Sequence, residues 1–275
     1  MNWFESFIYG LVSGIAEFLP VPSLSHQKIL SQLFGVSGND PVCDLIVHIS
    51  MLLALLLSTH RLLLRLRRER LVAQRSRRRS NGTDIRASFD NRLIRGAVVP
   101  MLLVMLILIF TRAWTAKPLV VIGFTALNGI LLFLGERLPH ANKDSRHMSI
   151  LDAVVFGIFG ALSVFPGISR IGASQTYATM RGAEKQHSMN WALVLSIPAL
   201  LILCVFDVVA VISGIAPVQK MATFFGYVMV AIGAFIGTYL CTAFVRKAIG
   251  RLNSAVFAYY CWGIALLLLV LYLIS

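Results

Sequence analysis

Two short stretches of the chain carry residues able to do chemistry, and both interrupt apolar sequence. Residues 17–26 read Glu-Phe-Leu-Pro-Val-Pro-Ser-Leu-Ser-His, so a carboxylate (Glu17), two hydroxyls (Ser23, Ser25) and an imidazole (His26) fall within ten residues. That set offers a nucleophile and groups able to take or give its proton. Residues 165–174 read Phe-Pro-Gly-Ile-Ser-Arg-Ile-Gly-Ala-Ser, in which Gly167, Ser169 and Ser174 surround one arginine, Arg170. If a helix starts here, its N–H groups and dipole form a seat for phosphate oxygens. Arg170 adds a two-pronged clamp. Nucleophile, acid/base groups and anion clamp are together the parts of a phosphoryl-transfer site.

The elements that must position these residues are membrane helices. Of the 275 residues, 57% are hydrophobic and only 13% are charged, and the mean hydropathy is +0.79. A soluble domain has about 25% charged residues. The composition therefore excludes an ordinary soluble domain and a disordered chain, and implies one polytopic, all-α membrane domain over residues 1–275. The formal charge is +13, but 12 of the 19 arginines lie between Arg61 and Arg95. Such a cluster beside a membrane span stays cytoplasmic and leans on anionic headgroups, so no nucleic-acid partner is expected. Cys43, Cys204, Cys241 and Cys261 form no CxxC pair, and all lie in or beside apolar runs. They read as buried thiols. Glu5 precedes the first apolar run and no basic segment leads it, which argues against a cleaved signal peptide.

Six runs are long and apolar enough to span a bilayer: residues 41–59, 93–111, 118–134, 189–212, 222–245 and 253–274. Residues 60–91 read as a long polar loop, and 135–149 as a second, with Arg137, Lys143 and Arg146. Residues 3–33 and 150–179 are apolar but broken by Pro20 and Pro22, and by Pro166, Gly167 and Gly172. Proline and glycine interrupt helical hydrogen bonding. Freed backbone is tolerated at membrane depth only where protein or a water-filled cavity receives it. Each stretch therefore reads as a re-entrant helix hairpin. Gly14, Pro20 and Ser23 recur as Gly160, Pro166 and Ser169 at a common offset of 146 residues. Each break precedes three spans, so the chain reads as two repeats, 1–134 (with the basic loop 60–92) and 150–275. Three is odd, so the repeats are inverted and the two breaks meet near the midplane. The basic loop, 135–149, 181–185, Arg246, Lys247 and Arg251 all fall on the cytoplasmic side if both termini are outside.

An ionisable residue inside a membrane segment is costly and is read first as functional. Plainer readings stand beside that one. Glu17 and His26 could snorkel at a membrane surface, and Arg170 could sit in a packing turn paired to Glu17, a pair that could still open for a substrate. Asp207 fits an intramembrane polar contact better than a site residue. His48, with Ser50, suits a cavity wall and helix packing equally. Trp3, Trp114 and Trp262 suit interfacial anchoring.

At these motifs the chain resembles the membrane-embedded undecaprenyl pyrophosphate phosphatases, also called bacitracin-resistance proteins. That family shows E-x-x-x-E-F-L-P-V-S-S-T-G-H and P-G-x-S-R-S-x-x-T where this chain has SGIAEFLPVPSLSH and PGISRIGAS. The resemblance covers essentially the whole chain. It implies hydrolysis of a C55 isoprenyl diphosphate to the monophosphate, recycling the lipid carrier of cell-wall synthesis in the bacterial plasma membrane, with the site facing outward. It carries over Glu17, Ser23, His26, Gly167, Ser169 and Arg170. Ser13 stands where the family has a first glutamate, Pro22 where it has a serine, Leu24 where it has a threonine and Ser25 where it has a glycine. Ile171 and Ser174 replace the last serine and threonine of the second motif.

Read as a site, Ser23 attacks the terminal phosphorus or orients a water, His26 or Glu17 takes the proton, and Arg170 stabilises the equatorial oxygens. Ser25, Gly167, Ser169 and Ser174 complete the phosphate seat. A divalent cation, Mg²⁺ or Ca²⁺, would use Glu17, weakly, because Ser13 removes the second hard carboxylate. The alternatives are a non-hydrolytic polyprenyl-phosphate transporter using the same seat, and a protein that sequesters the lipid. The expected partners are the polyprenyl lipid, bulk membrane lipid and, optionally, a second copy of the chain.

Overall fold

A computed structural model describes residues 1–36, 40–78, 86–111, 117–138, 147–213, 222–248 and 252–274, with side chains left undescribed over 73–78 and 86–90. The described residues form ten α-helices. The first half holds α1 (Trp3–Phe18), α2 (Ser23–Leu33), α3 (Pro41–Arg78), α4 (Arg86–Ile109) and α5 (Pro118–Arg137). The second half holds α6 (Ile150–Ala161), α7 (Arg170–Met180), α8 (Lys185–Ser213), α9 (Phe224–Ala248) and α10 (Ser254–Ile274), with a 3₁₀ turn at Leu162–Val164 after α6.

Six helices are long and apolar enough to cross a bilayer: α3, α4, α5, α8, α9 and α10. The chain is an all-α, multi-pass membrane protein. Its outer face is apolar, with Phe110, Ile212 and Phe224 each at least 80% exposed, while Ser6, Ser13, Thr125, Asn128, Thr238 and Thr242 are fully buried. That inverts the pattern of a water-soluble bundle, because lipid is as apolar as the side chains it meets. The remaining four helices have 11 to 16 residues. At about 1.5 Å per residue they are too short to cross a hydrocarbon core of about 30 Å. They pair as the two broken hairpins.

The long polar loop expected over residues 60–91 is mostly helix. α3 continues to Arg78 and α4 begins at Arg86. Alternating Leu and Arg between residues 61 and 72 are strong helix formers. α3 has 38 residues, about 57 Å, so it extends well beyond the hydrocarbon core. Arg79, Trp114, Lys143, Arg146, Arg251 and Ser275 lie outside the described residues. Trp262 packs within the α5–α10 contact, where its indole Nε1 donates to Ala126 O at 3.2 Å.

The main packing pairs are unchanged when the first five helices are exchanged with the last five. α1 lies on α9 as α6 lies on α4, α3 lies on α9 as α8 lies on α4, and α5 pairs with α10 and α3 with α8. Two glycine pairs four residues apart, Gly10 and Gly14 on α1 and Gly233 and Gly237 on α9, bring those backbones together. A Cβ at any of the four would overlap the facing helix backbone. Basic residues gather at one end of the bundle. There Lys185 Nζ pairs with Glu136 at 2.7 Å, Arg246 Nη1 donates to Ser58 O at 2.8 Å, and Arg181 Nε pairs with Asp152 at 2.6 Å.

Candidate active site

The two breaks meet, and each satisfies the backbone the other leaves open. Residues 19–22 leave helical geometry between α1 and α2, which strands the carbonyls of Leu19 and Pro20. Ser169 Oγ donates to Leu19 O at 2.9 Å, and Asn128 Nδ2 donates to Pro20 O at 3.3 Å. Asn128 Oδ1 in turn accepts from Ser169 N at 3.0 Å. A single asparagine on α5 thus ties both breaks together, as unpaired backbone at membrane depth requires. Gly167 has φ +115°, and a Cβ there would lie 2.7 Å from Thr125 N and Val121 O. Only glycine fits that turn.

Ser169 caps α7, accepting from Gly172 N at 3.1 Å, and so directs Arg170 inward as the first helical residue. Arg170 is 4% exposed. Its Nη2 pairs with Glu17 Oε1 at 3.0 Å, and its Nε lies 3.3 Å from Ser163 Oγ. Its Nη1 is buried with no partner among the described residues. The other oxygen of Glu17, Oε2, accepts from Ser23 Oγ at 2.6 Å. Hydroxyl, carboxylate and guanidinium therefore form one chain that ends in an unspent donor.

These groups line a cavity with about 620 Å³ of unfilled space, part of it open at the mouth. Glu17, Ser23, Gly167, Ser169 and Arg170 line it, as the sequence leads one to expect, and α3 adds His48. Apolar walls from Val21, Leu24, Met51 and Leu203 surround the polar floor.

His26, Ser25 and Ser174 are not among the lining residues. α2 starts at Ser23, so helical register decides which side chains face the cavity. At about 100° per residue, Ser23, Leu24 and Gln27 share one arc while Ser25 and His26 fall outside it. His26 is held at both ring nitrogens, Nδ1 at 2.8 Å from Pro22 O and Nε2 at 2.7 Å from Tyr260 Oη. Ser25 Oγ shares a hydrogen bond of 2.7 Å with Thr125 Oγ1. Ser174 is buried beside Gly160 on α6. Two amides offered to phosphate at the second break are already used, Ser169 N by Asn128 and Gly172 N by Ser169. Ser50 turns its hydroxyl back to Ile46 O.

Two residues here escaped the sequence reading. Gln27 lines the cavity and donates to Ser13 Oγ at 3.1 Å. Extending the helical register from Pro22 would have found it. Asn128 is a polar residue inside an apolar span, which alone marks it for attention.

The donor set does not suit a protein-held divalent cation. Hard cations take several carboxylate or carbonyl oxygens. This cavity offers one carboxylate, already paired with Arg170 and Ser23. Ser13, at the position of the family's first glutamate, donates its hydroxyl to Tyr9 O at 2.7 Å. Among the described residues no cluster of three His, Cys, Asp or Glu side chains could hold a metal.

The fold and this site define a class: a polytopic helical membrane protein with a buried arginine–carboxylate pair at the junction of two broken hairpins. The family model for bacitracin resistance protein BacA matches residues 6–267, and the chain belongs to that family. It is 28% identical over 278 residues to an undecaprenyl-diphosphatase of Carboxydothermus hydrogenoformans, covering 98% of each chain. It is 27% identical over 274 residues to undecaprenyl-diphosphatase 3 of Bacillus cereus, again covering 98% of each. An undecaprenyl-diphosphatase of Halothermothrix orenii is 22% identical over 273 residues, also covering 98% of each.

Proposed function

We propose that this protein is an integral membrane phosphatase. It hydrolyses undecaprenyl diphosphate, or a close polyprenyl diphosphate, to the monophosphate and so returns the lipid carrier to cell-wall synthesis. Family membership and the similar undecaprenyl-diphosphatases support the reaction class. The observation that carries it to these residues is the Ser23–Glu17–Arg170 chain with its unspent, buried Nη1.

Each part has a role in that reaction. Ser23 Oγ attacks the terminal phosphorus, and its proton passes to Glu17, which already accepts its hydrogen bond. Arg170 gives Nη1 to a phosphoryl oxygen, and a donor placed where charge develops is worth about 3–4 kcal/mol. Ser169 and Asn128 hold the clamp in register. The apolar walls suit the first isoprene unit. With one neutralised carboxylate, the site draws at most weakly on a cation, and that cation would come with the diphosphate.

The basic end of the bundle supports a cytoplasmic placement for Arg61–Arg95, with both termini outside. His48 lies ten residues before Ser58, about 15 Å along α3, so the cavity sits away from that end and toward the outer leaflet. The matching packing pairs and the common offset of the two breaks support an inverted repeat of 1–134 and 150–275. An impermeant thiol reagent applied to intact cells should label Ile274→Cys and spare Arg67→Cys, and the reverse pattern would refute this orientation.

The decisive assay is phosphate release from C55 and C15 prenyl diphosphates by purified protein, with and without Mg²⁺ or Ca²⁺. Turnover that Arg170→Ala abolishes is expected. No turnover, with prenyl phosphate still bound through Arg170, would replace this reading by a transporter.

A further inference from the structure

At the same cavity, His48 of α3 pairs with Asp207 of α8, a polar pair that the motifs do not contain. His48 Nδ1 lies 2.6 Å from Asp207 Oδ2, and the two side chains are only 13% and 5% exposed. His48 lines the same cavity as Ser23, Glu17 and Arg170, and Leu203, one turn before Asp207, lines it too. Its Nε2 has no partner among the described residues. A carboxylate on Nδ1 fixes the tautomer and orientation of an imidazole. A buried carboxylate in an apolar bundle is costly and calls for a partner. Packing alone would be served by any apolar residue here. An imidazole oriented by a carboxylate, with its other nitrogen at a cavity, is instead equipped to move protons.

The phosphatase reading leaves two proton transfers unassigned. Glu17 takes the Ser23 proton, while the departing prenyl monophosphate and the incoming water each need a partner. His26 cannot supply one, because both its ring nitrogens are engaged away from the cavity. Resting on that reading, we propose that His48 is the acid–base residue for the leaving group and for water, with Asp207 as its positioning residue.

The steps balance. Ser23 Oγ bonds to the terminal phosphorus as the bond from that phosphorus to the bridging oxygen breaks. The Ser23 proton goes to Glu17, and the bridging oxygen leaves on the prenyl monophosphate with a proton from His48 Nε2. A water then attacks the phosphoserine, giving its proton to His48, as the Ser23 Oγ–phosphorus bond breaks and Glu17 returns the proton to Ser23. The net change is one water consumed, with monophosphate and phosphate released. Nucleophile and acid come from different helices, α2 and α3, that line one cavity.

The test is kcat and KM for phosphate release by the full-length protein in nanodiscs, for wild type, His48→Gln, Asp207→Asn and Asp207→Glu. His48→Gln should lower kcat at least about 100-fold while KM moves less than about threefold, the scale of losing a general acid. Asp207→Asn should lower kcat at least about tenfold with KM again moving less than about threefold, and Asp207→Glu should restore most of that loss. Should His48→Gln fail to fold, the kcat-against-KM split of Asp207→Asn and its rescue in Asp207→Glu carry the test. A folded His48→Gln within about threefold of wild-type kcat, or an Asp207→Asn with unchanged kcat, would overturn the dyad and leave the phosphatase reading intact. No phosphate release from wild type would sink the phosphatase reading itself, and this role with it.

Discussion

Asn128→Ala tests whether the site depends on the tie between the two breaks. The asparagine accepts from Ser169 N at 3.0 Å and donates to Pro20 O at 3.3 Å. Alanine leaves a buried N–H and a buried C=O without those partners. The nearest remaining donor to Pro20 O is the Cys261 thiol at 4.0 Å, too far to compensate. Each orphaned buried group costs about 1–3 kcal/mol. The Pro20 contact is long, so the sum is about 2–4 kcal/mol. Part of that loss falls on stability. The rest falls on catalysis, because Ser169 directly precedes Arg170, and a misplacement of about 1 Å near reacting groups costs about 100-fold.

The assay pairs phosphate release with thermal unfolding of the same nanodisc sample. Asn128→Ala should lower kcat/KM by 10- to 100-fold or more and lower the unfolding temperature. Thr125→Val is the control. It sits one turn away and removes the partner of Ser25, which is not among the cavity-lining residues, and a bond to Val121 O within its own helix. It should stay within about threefold of wild type. An Asn128→Ala protein with wild-type kcat/KM and stability would refute the idea that the breaks are stitched by this residue.

Three further outcomes are expected. Arg170→Lys should lose at least about 100-fold in kcat/KM, since a single ammonium nitrogen lacks the planar fork that reaches Glu17 and Ser163 from separate nitrogens and still presents a third; activity within tenfold would refute the clamp. EDTA should lower wild-type turnover by less than about tenfold, and Ser13→Glu should make turnover depend on added Mg²⁺; strong inhibition of the wild type by EDTA would overturn the argument from the donor set. Gly167→Ala should fail to give stable, monodisperse protein, because its backbone has positive φ and its Cβ would meet α5 backbone at 2.7 Å; a stable, active variant would contradict the packing of that turn.

Much of this architecture is legible in the sequence because membrane segments obey few rules. Runs of apolar residues with no charge give the spans, and Pro20, Pro22, Pro166 and Gly167 mark where helix cannot continue. The pairing of Glu17 with Arg170, 153 positions apart, follows once the two breaks are placed at one depth. The errors come from register. Residues 17–26 look like one polar cluster when read as a string, but a helix beginning at Ser23 turns His26 toward Tyr260 and brings Gln27 round to the cavity. The polar appearance of residues 60–78 likewise hides a helix, because arginine is both charged and a good helix former. His48 is legible as a candidate for the cavity wall, but its pairing with Asp207 and the place of Asn128 are not, since which spans border the breaks is set by packing between the halves.

The departures from the family pattern become coherent when charge is counted within the cavity. Glu17 and Arg170, the carboxylate and guanidinium among the described lining residues, cancel, and Asp207 is hydrogen-bonded to His48. Ser13 and Gln27 together make a neutral hydroxyl–amide contact beside them. The wall that meets a diphosphate is therefore close to electroneutral, and one buried guanidinium nitrogen remains to draw the anion in. A glutamate at position 13 would add a negative charge beside Glu17, where two close carboxylates cannot both stay ionised cheaply. That arrangement needs a proton or a metal to offset it, and either would change how the diphosphate is held. With serine at position 13 that pair of carboxylates does not arise, and Glu17 keeps Arg170 and Ser23 as its partners. On the proposed reading, proton transfer is shared between Glu17 and His48, the cavity-lining imidazole among the described residues.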